Sequence, residues 1–269
     1  MINQSPIFLM GSPRSGTSII QALIDTQKQI ITFPPTHFFS LVLSHIKTDI
    51  DGNIINKTDI ELLIKNEIKY DIWENTSIYK VLNQDILMIK ELYESIILHY
   101  TRNNKNRWID KTPNYTYMIN IINSYYPNAK FLFVLKDPLN TVYSRKLKLP
   151  ADKHRSIELL TQYWCNAVSN YKNFKQEYPD KIILIKYEDF AKNYENDMKD
   201  IMNFLELKYN KELLKNYKDS ISGLIHEKEI WKQDMTTEIM KTDKYNISDN
   251  NREIITKIAY KEMEEFGYL

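Results

Sequence analysis

The chain has 269 residues, 43% hydrophobic and 26% charged, with a formal net charge of +1, which suits one large α/β domain with a substantial core and argues against a dedicated nucleic-acid binder. A lone cysteine, Cys165, excludes an internal disulfide and a cysteine-based zinc site. No apolar run approaches the ~20 residues that span a bilayer, and Met1 to Pro6 is too short and polar to act as a signal peptide, so the expected location is cytoplasmic.

Ile7 to Met10 is a short apolar run and predicts a buried strand. Gly11 to Ser18 is a small polar loop, and from Thr17 onward Ile19, Ile20, Leu23 and Ile24 recur at helical spacing. Ile30 to Phe33 predicts a second strand, stopped by Pro34-Pro35, with Thr36 as a candidate cap for a helix from His37 to about Ile46. Asp51-Gly52-Asn53 is a turn, and 58–69 and 84–100 carry helical periodicity. Arg107 to Lys111 predicts a third strand, stopped by Thr112-Pro113, and Asn114 to Tyr125 a helix. Lys130 to Leu135 is the clearest buried strand; Asp137 then caps a helix with Pro138 at its first position. A long helix over 156–178, a fifth strand over Lys181 to Lys186, and helices over 190–205 and 250–266 complete the chain.

Strands alternating with helices predict an α/β fold: a single parallel sheet flanked by helices, P-loop-like, with a helical insertion over about 37–105 after the second strand, all in one domain, 1–269. In such sheets ligands bind at the carboxyl ends of the strands. Residues 11–18, 34–37, 111, 136 and 187 all fall at such ends.

The first loop carries the strongest signal. Strand, glycine loop, helix is an arrangement that binds phosphate through backbone N–H groups and a helix N-terminus. Only five glycines occur in the chain, and Gly11 and Gly16 bracket this loop. The loop nearly matches G-x-x-x-x-G-K-[ST], but Thr17 stands where the lysine belongs and Arg14 is the only cation. It therefore suits one compact anionic group better than a magnesium-bound triphosphate, with a bare strand-to-helix turn as the bland alternative. Lys136 ends the fourth strand and Ser144 follows eight residues later, two turns into a helix. The pair can pinch a second phosphate, although a solvated strand-end lysine and an ordinary helix serine explain it equally well. Lys111 ends the third strand facing the same cleft, with a plain solvated lysine as its bland reading. His45, His99 and His154 fall in helical patterns and read as structural or surface residues, and Trp73, Trp108 and Trp164 as core.

Together, GSPRSGTS, WIDKTPNY, YPNAKFLFVLKDPLNTVYS, IKYEDF and the terminal EMEEFGYL resemble the sulfotransferases that use 3'-phosphoadenosine 5'-phosphosulfate (PAPS). The pattern is nearest to the bacterial, glycan and tyrosylprotein groups. The resemblance implies that Arg14, Ser15, Gly16, Thr17 and Ser18 bind the 5'-phosphosulfate, that Lys136 and Ser144 bind the 3'-phosphate, and that Tyr187 lies near the adenine. The family usually has arginine where Lys136 stands. Lysine keeps the charge but lacks the bidentate fork, which would weaken 3'-phosphate selectivity. The glycan enzymes show Glu-x-His-Phe-Phe after the second strand, with the glutamate as general base. Here the stretch is Pro35-Thr36-His37-Phe38-Phe39, so His37 becomes the candidate base, or else only positions the loop. The loop around His226, Lys228, Trp231 and Lys232 corresponds to the family's late segment over the 3'-phosphate, without its usual glycine- and arginine-rich form; Trp231 and Lys232 are its candidate contacts.

The implied reaction transfers the sulfuryl group in line to a small-molecule, glycan or peptide hydroxyl and releases adenosine 3',5'-bisphosphate (PAP). Arg14 stabilises the leaving oxygen, and Lys111 helps orient the acceptor or the sulfuryl group. The transferring group is a monoanion beside a fixed cation, so no metal is expected. Two rivals stand beside this reading. One is a P-loop nucleotide kinase or NTPase, with Asp137 imitating its magnesium-holding aspartate. The other is an inactive nucleotide-binding protein, suggested by Pro35 where a base is expected.

Overall fold

The computed structural model describes residues 5–67, 88–100, 107–224 and 245–269. Five strands, β1 (Ile7–Gly11), β2 (Ile31–Thr32), β3 (Trp108–Lys111), β4 (Lys130–Leu135) and β5 (Ile182–Lys186), form one sheet in the order β2-β3-β1-β4-β5. Every neighbouring pair is parallel. Ten helices among the described residues accompany it: α1 (Thr17–Thr26), α2 (Phe38–Leu41), α3 (Lys57–Glu67), α4 (Ile89–Tyr100), α5 (Ile119–Tyr125), α6 (Pro138–Lys148), α7 (Ile157–Glu177), α8 (Tyr187–Phe204), α9 (Tyr217–Leu224) and α10 (Asp249–Glu265). Among the described residues no helix is long and apolar enough to cross a membrane.

The strands read as continuous apolar runs because both faces of the sheet are covered. Even so, the two faces differ, and period-2 alternation sorts them. Phe8, Met10, Phe131 and Phe133 point into an aromatic layer with Phe39, Tyr93, Trp108, Tyr115, Trp164 and Phe174. Ile7, Leu9, Leu132 and Val134 point the other way, into an aliphatic layer with Ile20 and Leu23 of α1 and Phe190, Met198 and Ile201 of α8. The register Phe8↔Phe131, Leu9↔Leu132, Met10↔Phe133 keeps each layer in line. Phe8 stacks on Phe131 at 5.7 Å and meets the Trp108 ring edge-on at 5.4 Å.

Several boundaries differ from the sequence expectation. The second strand has two residues, not four, because Pro34-Pro35 removes two N–H donors immediately beyond it. The expected helix from His37 to Ile46 is instead four residues, Phe38–Leu41, followed by a 3-10 turn, Leu43–His45. Phe38, Phe39 and Val42 are buried, and beyond Val42 the bonding tightens to i→i+3: His45 N donates to Val42 O at 3.0 Å and Ile46 N to Leu43 O at 3.3 Å. The cap position is His37, in the left-handed region at φ 54°, rather than Thr36. Asn114 to Tyr125 begins as a 3-10 turn, Pro113–Met118, and becomes α-helical only at Ile119. The helix expected over 190–205 starts at Tyr187 and kinks at Asn193.

Other expectations held. Asp137 caps α6, accepting from Leu139 N at 3.0 Å and Asn140 N at 3.4 Å, with Pro138 next. The helix expected over 156–178 runs from Ile157 to Glu177, with Ser156 Oγ accepting from Leu159 N at 3.2 Å. Cys165 is buried in α7, and burial pushes its thiol up to about 12. Trp108 and Trp164 are core residues. His154 lies in an exposed turn and not in a helix, and His45 is exposed. Trp73, and residues 84–87 of an expected helix, lie outside the described residues.

Candidate active site

β1 and β4 run side by side, so the loop after β1 and the turn after β4 open next to each other. Gly11 sits opposite Val134, where an added Cβ would lie 2.4 Å from the Val134 carbonyl oxygen. Only glycine allows the chain to leave the sheet there. Gly16 is the cap residue of α1 at φ 98°, and no side chain caps that helix. A Cβ on Gly16 would stand 2.3 Å from the Tyr187 ring, so the missing side chain lets Tyr187 lie against the loop. Ser12 Oγ and Ser15 Oγ are buried with no hydrogen-bond partner among the described residues. Two unsatisfied hydroxyls in one loop at a helix N-terminus fit an anionic ligand.

Arg14 stands in this loop at φ 76°, a conformation that costs a non-glycine residue about 1–2 kcal/mol. Its Nε donates to Ser144 Oγ at 3.0 Å, which joins the first loop to the second candidate anion pair. Lys136 is 6% exposed, which excludes the solvated strand-end reading, and Ser144 is 3% exposed. The Lys136 ammonium lies 4.6 Å from the centroid of the Tyr187 ring, a cation–π contact. The loop thus meets the second pair at two points: Arg14 bonds Ser144, and Tyr187, which lies against Gly16, meets Lys136. Ser18 follows the buried Thr17 in the first turn of α1. Trp231 and Lys232, with His226 and Lys228 of the same stretch, lie outside the described residues.

Beyond the sheet centre, β2 and β3 bring a second group together. Lys111 is 2% exposed, not a solvated strand end. Its neighbour Asp110 is fully buried and accepts four hydroxyl hydrogen bonds. Thr112 Oγ1 reaches Oδ1 at 2.8 Å, while Thr36 Oγ1 at 2.5 Å, Tyr93 OH at 2.7 Å and Tyr115 OH at 3.3 Å reach Oδ2. The His37 N–H points at Thr112 Oγ1 over 3.5 Å, so one carboxylate holds both Thr36, just before His37, and Thr112, which the His37 N–H meets. His37 and Arg14 are two of only four non-glycine residues with positive φ among the described residues. Strain of this kind gathers at functional sites. The Asp110 cluster escaped the sequence reading. Its signal was a lone carboxylate inside an apolar strand, on the face shared with Trp108.

Burial pushes the Asp110 carboxyl above its ordinary value, and the four donors offset this only in part. The folded chain therefore holds the Asp110 proton more tightly than the unfolded chain. This group's contribution to stability falls as pH rises from about 3.9 through the raised folded value. Asp110→Asn is expected to remove that slope. Asp110→Ala leaves four buried hydroxyls without their acceptor, at about 1–3 kcal/mol each. Thr36 and Tyr115, 2.6 Å apart, can pair with each other, so a net loss of about 3–5 kcal/mol is expected. Urea unfolding across pH measures both; a loss under about 1 kcal/mol would show that the cluster organises nothing.

Comparison with known proteins places these features. The sequence model of the "Sulfotransferase family" matches residues 6–211. The protein-tyrosine sulfotransferase of Drosophila melanogaster is 24% identical over 216 residues, which is 77% of this chain but 39% of that protein. The chain thus spans well under half the length of that relative. Among solved structures, the sulfotransferase domain from the curacin biosynthetic pathway matches with TM-score 0.63 at 19% identity, covering 96% of this chain and 97% of that one. A mouse sulfotransferase complexed with PAP matches with TM-score 0.53 at 14% identity, covering 97% and 85%. At such identities the structural likeness speaks for the fold alone, while the sequence match from the first strand to beyond the fifth decides the family: this chain belongs to the sulfotransferase family.

Proposed function

We propose that the chain transfers the sulfuryl group of PAPS to a hydroxyl acceptor and releases PAP. The observation that carries this reading is the 3.0 Å hydrogen bond from Arg14 Nε to Ser144 Oγ. It brings the cation of the first loop to the second anion pair, as a ligand with two separated anionic groups requires. The likeness to a sulfotransferase solved with PAP adds support.

In this reading Ser12, Ser15, Thr17, Ser18 and the N-terminus of α1 hold the 5'-phosphosulfate. Lys136 and Ser144 hold the 3'-phosphate, and Tyr187 flanks the adenine. Sulfuryl transfer, like phosphoryl transfer, passes through a loose transition state in which charge gathers on the leaving oxygen. Arg14 supplies the fixed charge at that oxygen. His37 accepts the acceptor's proton, and Lys111 orients the incoming groups. The acceptor is a small-molecule, glycan or peptide hydroxyl; similarity to a protein-tyrosine sulfotransferase makes tyrosine peptides the first class to assay. The kinase alternative is weakened by Asp137, whose carboxylate accepts from Leu139 N, Asn140 N and Asn140 Nδ2 and so serves the α6 cap.

Calorimetric titration tests the reading. PAP is expected to bind without added metal, and ATP not to bind even with magnesium. Lys136→Ala and Ser144→Ala are expected to weaken PAP by about 10-fold or more, the scale of one charge-assisted hydrogen bond, with adenosine 5'-phosphosulfate nearly unaffected. Equal losses for both nucleotides would show that these residues do not read the 3'-phosphate.

A further inference from the structure

The peptide between Lys136 and Asp137 is held at both polar ends. Its carbonyl accepts from the Trp164 indole Nε1 at 3.0 Å, and its N–H donates to Glu188 Oε1 at 2.9 Å. Trp164 is a core residue of α7. Glu188 is different: it lies in the first turn of α8, beside Tyr187, and its other oxygen is occupied from the far end of the chain. Tyr268 OH donates to Glu188 Oε2 at 2.9 Å.

The chain ending is built to make that contact. After α10, Gly267 N donates to Glu264 O at 3.3 Å and Tyr268 N to Met263 O at 2.8 Å, with Gly267 at φ 69°. This pair of bonds across a left-handed glycine is a Schellman cap, which reverses the chain sharply. The reversal sets the Tyr268 ring 4.7 Å from the Lys186 ammonium, at the carboxyl end of β5. Burial and the neighbouring Glu188 raise the Tyr268 phenol well above its ordinary range, so it stays a donor. The line from Tyr268 through Glu188 to the 136–137 peptide ends one side chain away from the Lys136 ammonium.

We infer that Glu188 and Tyr268 are positioning residues for the 3'-phosphate end of the donor site: Tyr268 fixes Glu188, and Glu188 fixes the peptide from which Lys136 projects over Tyr187. The inference rests on the reading of Lys136 as a 3'-phosphate contact. A carboxylate next to an anion site would otherwise repel the ligand. Here both its oxygens are turned to donors, a backbone N–H and a phenol, and the negative charge is used to hold the strand end.

The test is titration of PAP and of AMP into the full chain and its variants. Tyr268→Phe removes one hydroxyl and keeps the ring on Lys186. It is expected to raise the Kd for PAP by about 3–10-fold, the scale of one hydrogen bond acting through a neighbour, and that for AMP by under about twofold. Glu188→Ala is expected to act in the same direction and more strongly. A merely structural role would lower Tm and weaken both nucleotides alike. Lys136→Ala serves as the reference. If Lys136→Ala discriminates PAP from AMP and Tyr268→Phe does not, the brace is wrong and the site reading stands. If Lys136→Ala itself weakens both nucleotides equally, the second anion site is misread and the inference falls with it.

Discussion

Arg14→Ala is expected to lower kcat by about 10²–10³-fold, equivalent to ~2.7–4 kcal/mol, while weakening PAP binding far less. Arg14 is the only cation between Gly11 and Ser18, and charge on the leaving oxygen is largest in the transition state. A fixed guanidinium therefore acts mainly on turnover. The contact from Arg14 Nε to Ser144 Oγ predicts a second, smaller effect: some donor affinity is lost as well, through the 3'-phosphate side. Two further variants separate chemistry from folding. Arg14→Gly relieves the strain of φ 76°, so it is expected to be at least as stable as wild type and as inactive as Arg14→Ala. Arg14→Lys keeps the charge but loses the planar fork, and is expected to recover part of kcat without restoring the Ser144 contact. Single-turnover rates with saturating donor decide the matter. Near-normal turnover in Arg14→Gly would remove Arg14 from the reaction and leave it a loop residue.

The parts of the fold visible in the sequence are those in which local signals and tertiary packing agree. The apolar runs of β1 and β4, the Asp137-Pro138 start of α6 and the Gly11–Gly16 loop all declare themselves within a few residues. The mis-set boundaries lie where tertiary contacts override local preference. Phe38 and Phe39 are both seated in the aromatic layer against Tyr93 and Tyr115, contacts that the local pattern after His37 does not show. The site shows the same division. Arg14, Lys136 and Ser144 were readable from loop pattern and spacing, but the Arg14–Ser144 contact spans 130 residues and leaves no local trace. Asp110 was passed over because its four donors come from three separate stretches of chain. Glu188 and Tyr268 carry no local signal, since only folding brings the turn after α10 to the end of the fourth strand.

His37→Ala is expected to lose at least ~10²-fold in turnover with donor affinity largely intact. The usual carboxylate position is filled by Pro35, which has no group to accept a proton. The residue two places on is an imidazole, and a free imidazole, with a pKa of about 6.5, accepts protons near neutral pH. His37 is held in an unusual backbone conformation, φ 54°, one that histidine adopts more readily than most residues. Its carbonyl accepts from Leu41 N at 2.8 Å and Ser40 Oγ at 3.0 Å, and Asp110 holds Thr36 just before it and Thr112 against its N–H. The base acts in its neutral form, so the wild-type rate should rise with pH through one ionisation and His37→Gln should abolish that limb. If His37 only supports the loop, the proton goes to Lys111 or leaves with the acceptor's own acidity, and the variant then loses the same factor with every acceptor. A true base shows a dependence along the acceptor series: its removal is felt most by unactivated alcohols and least by acidic phenols, and the pH limb disappears. Rates of wild type and His37→Gln against acceptor pKa and pH give the answer. A uniform loss across the series, with the pH limb intact in His37→Gln, would assign the proton transfer to another group.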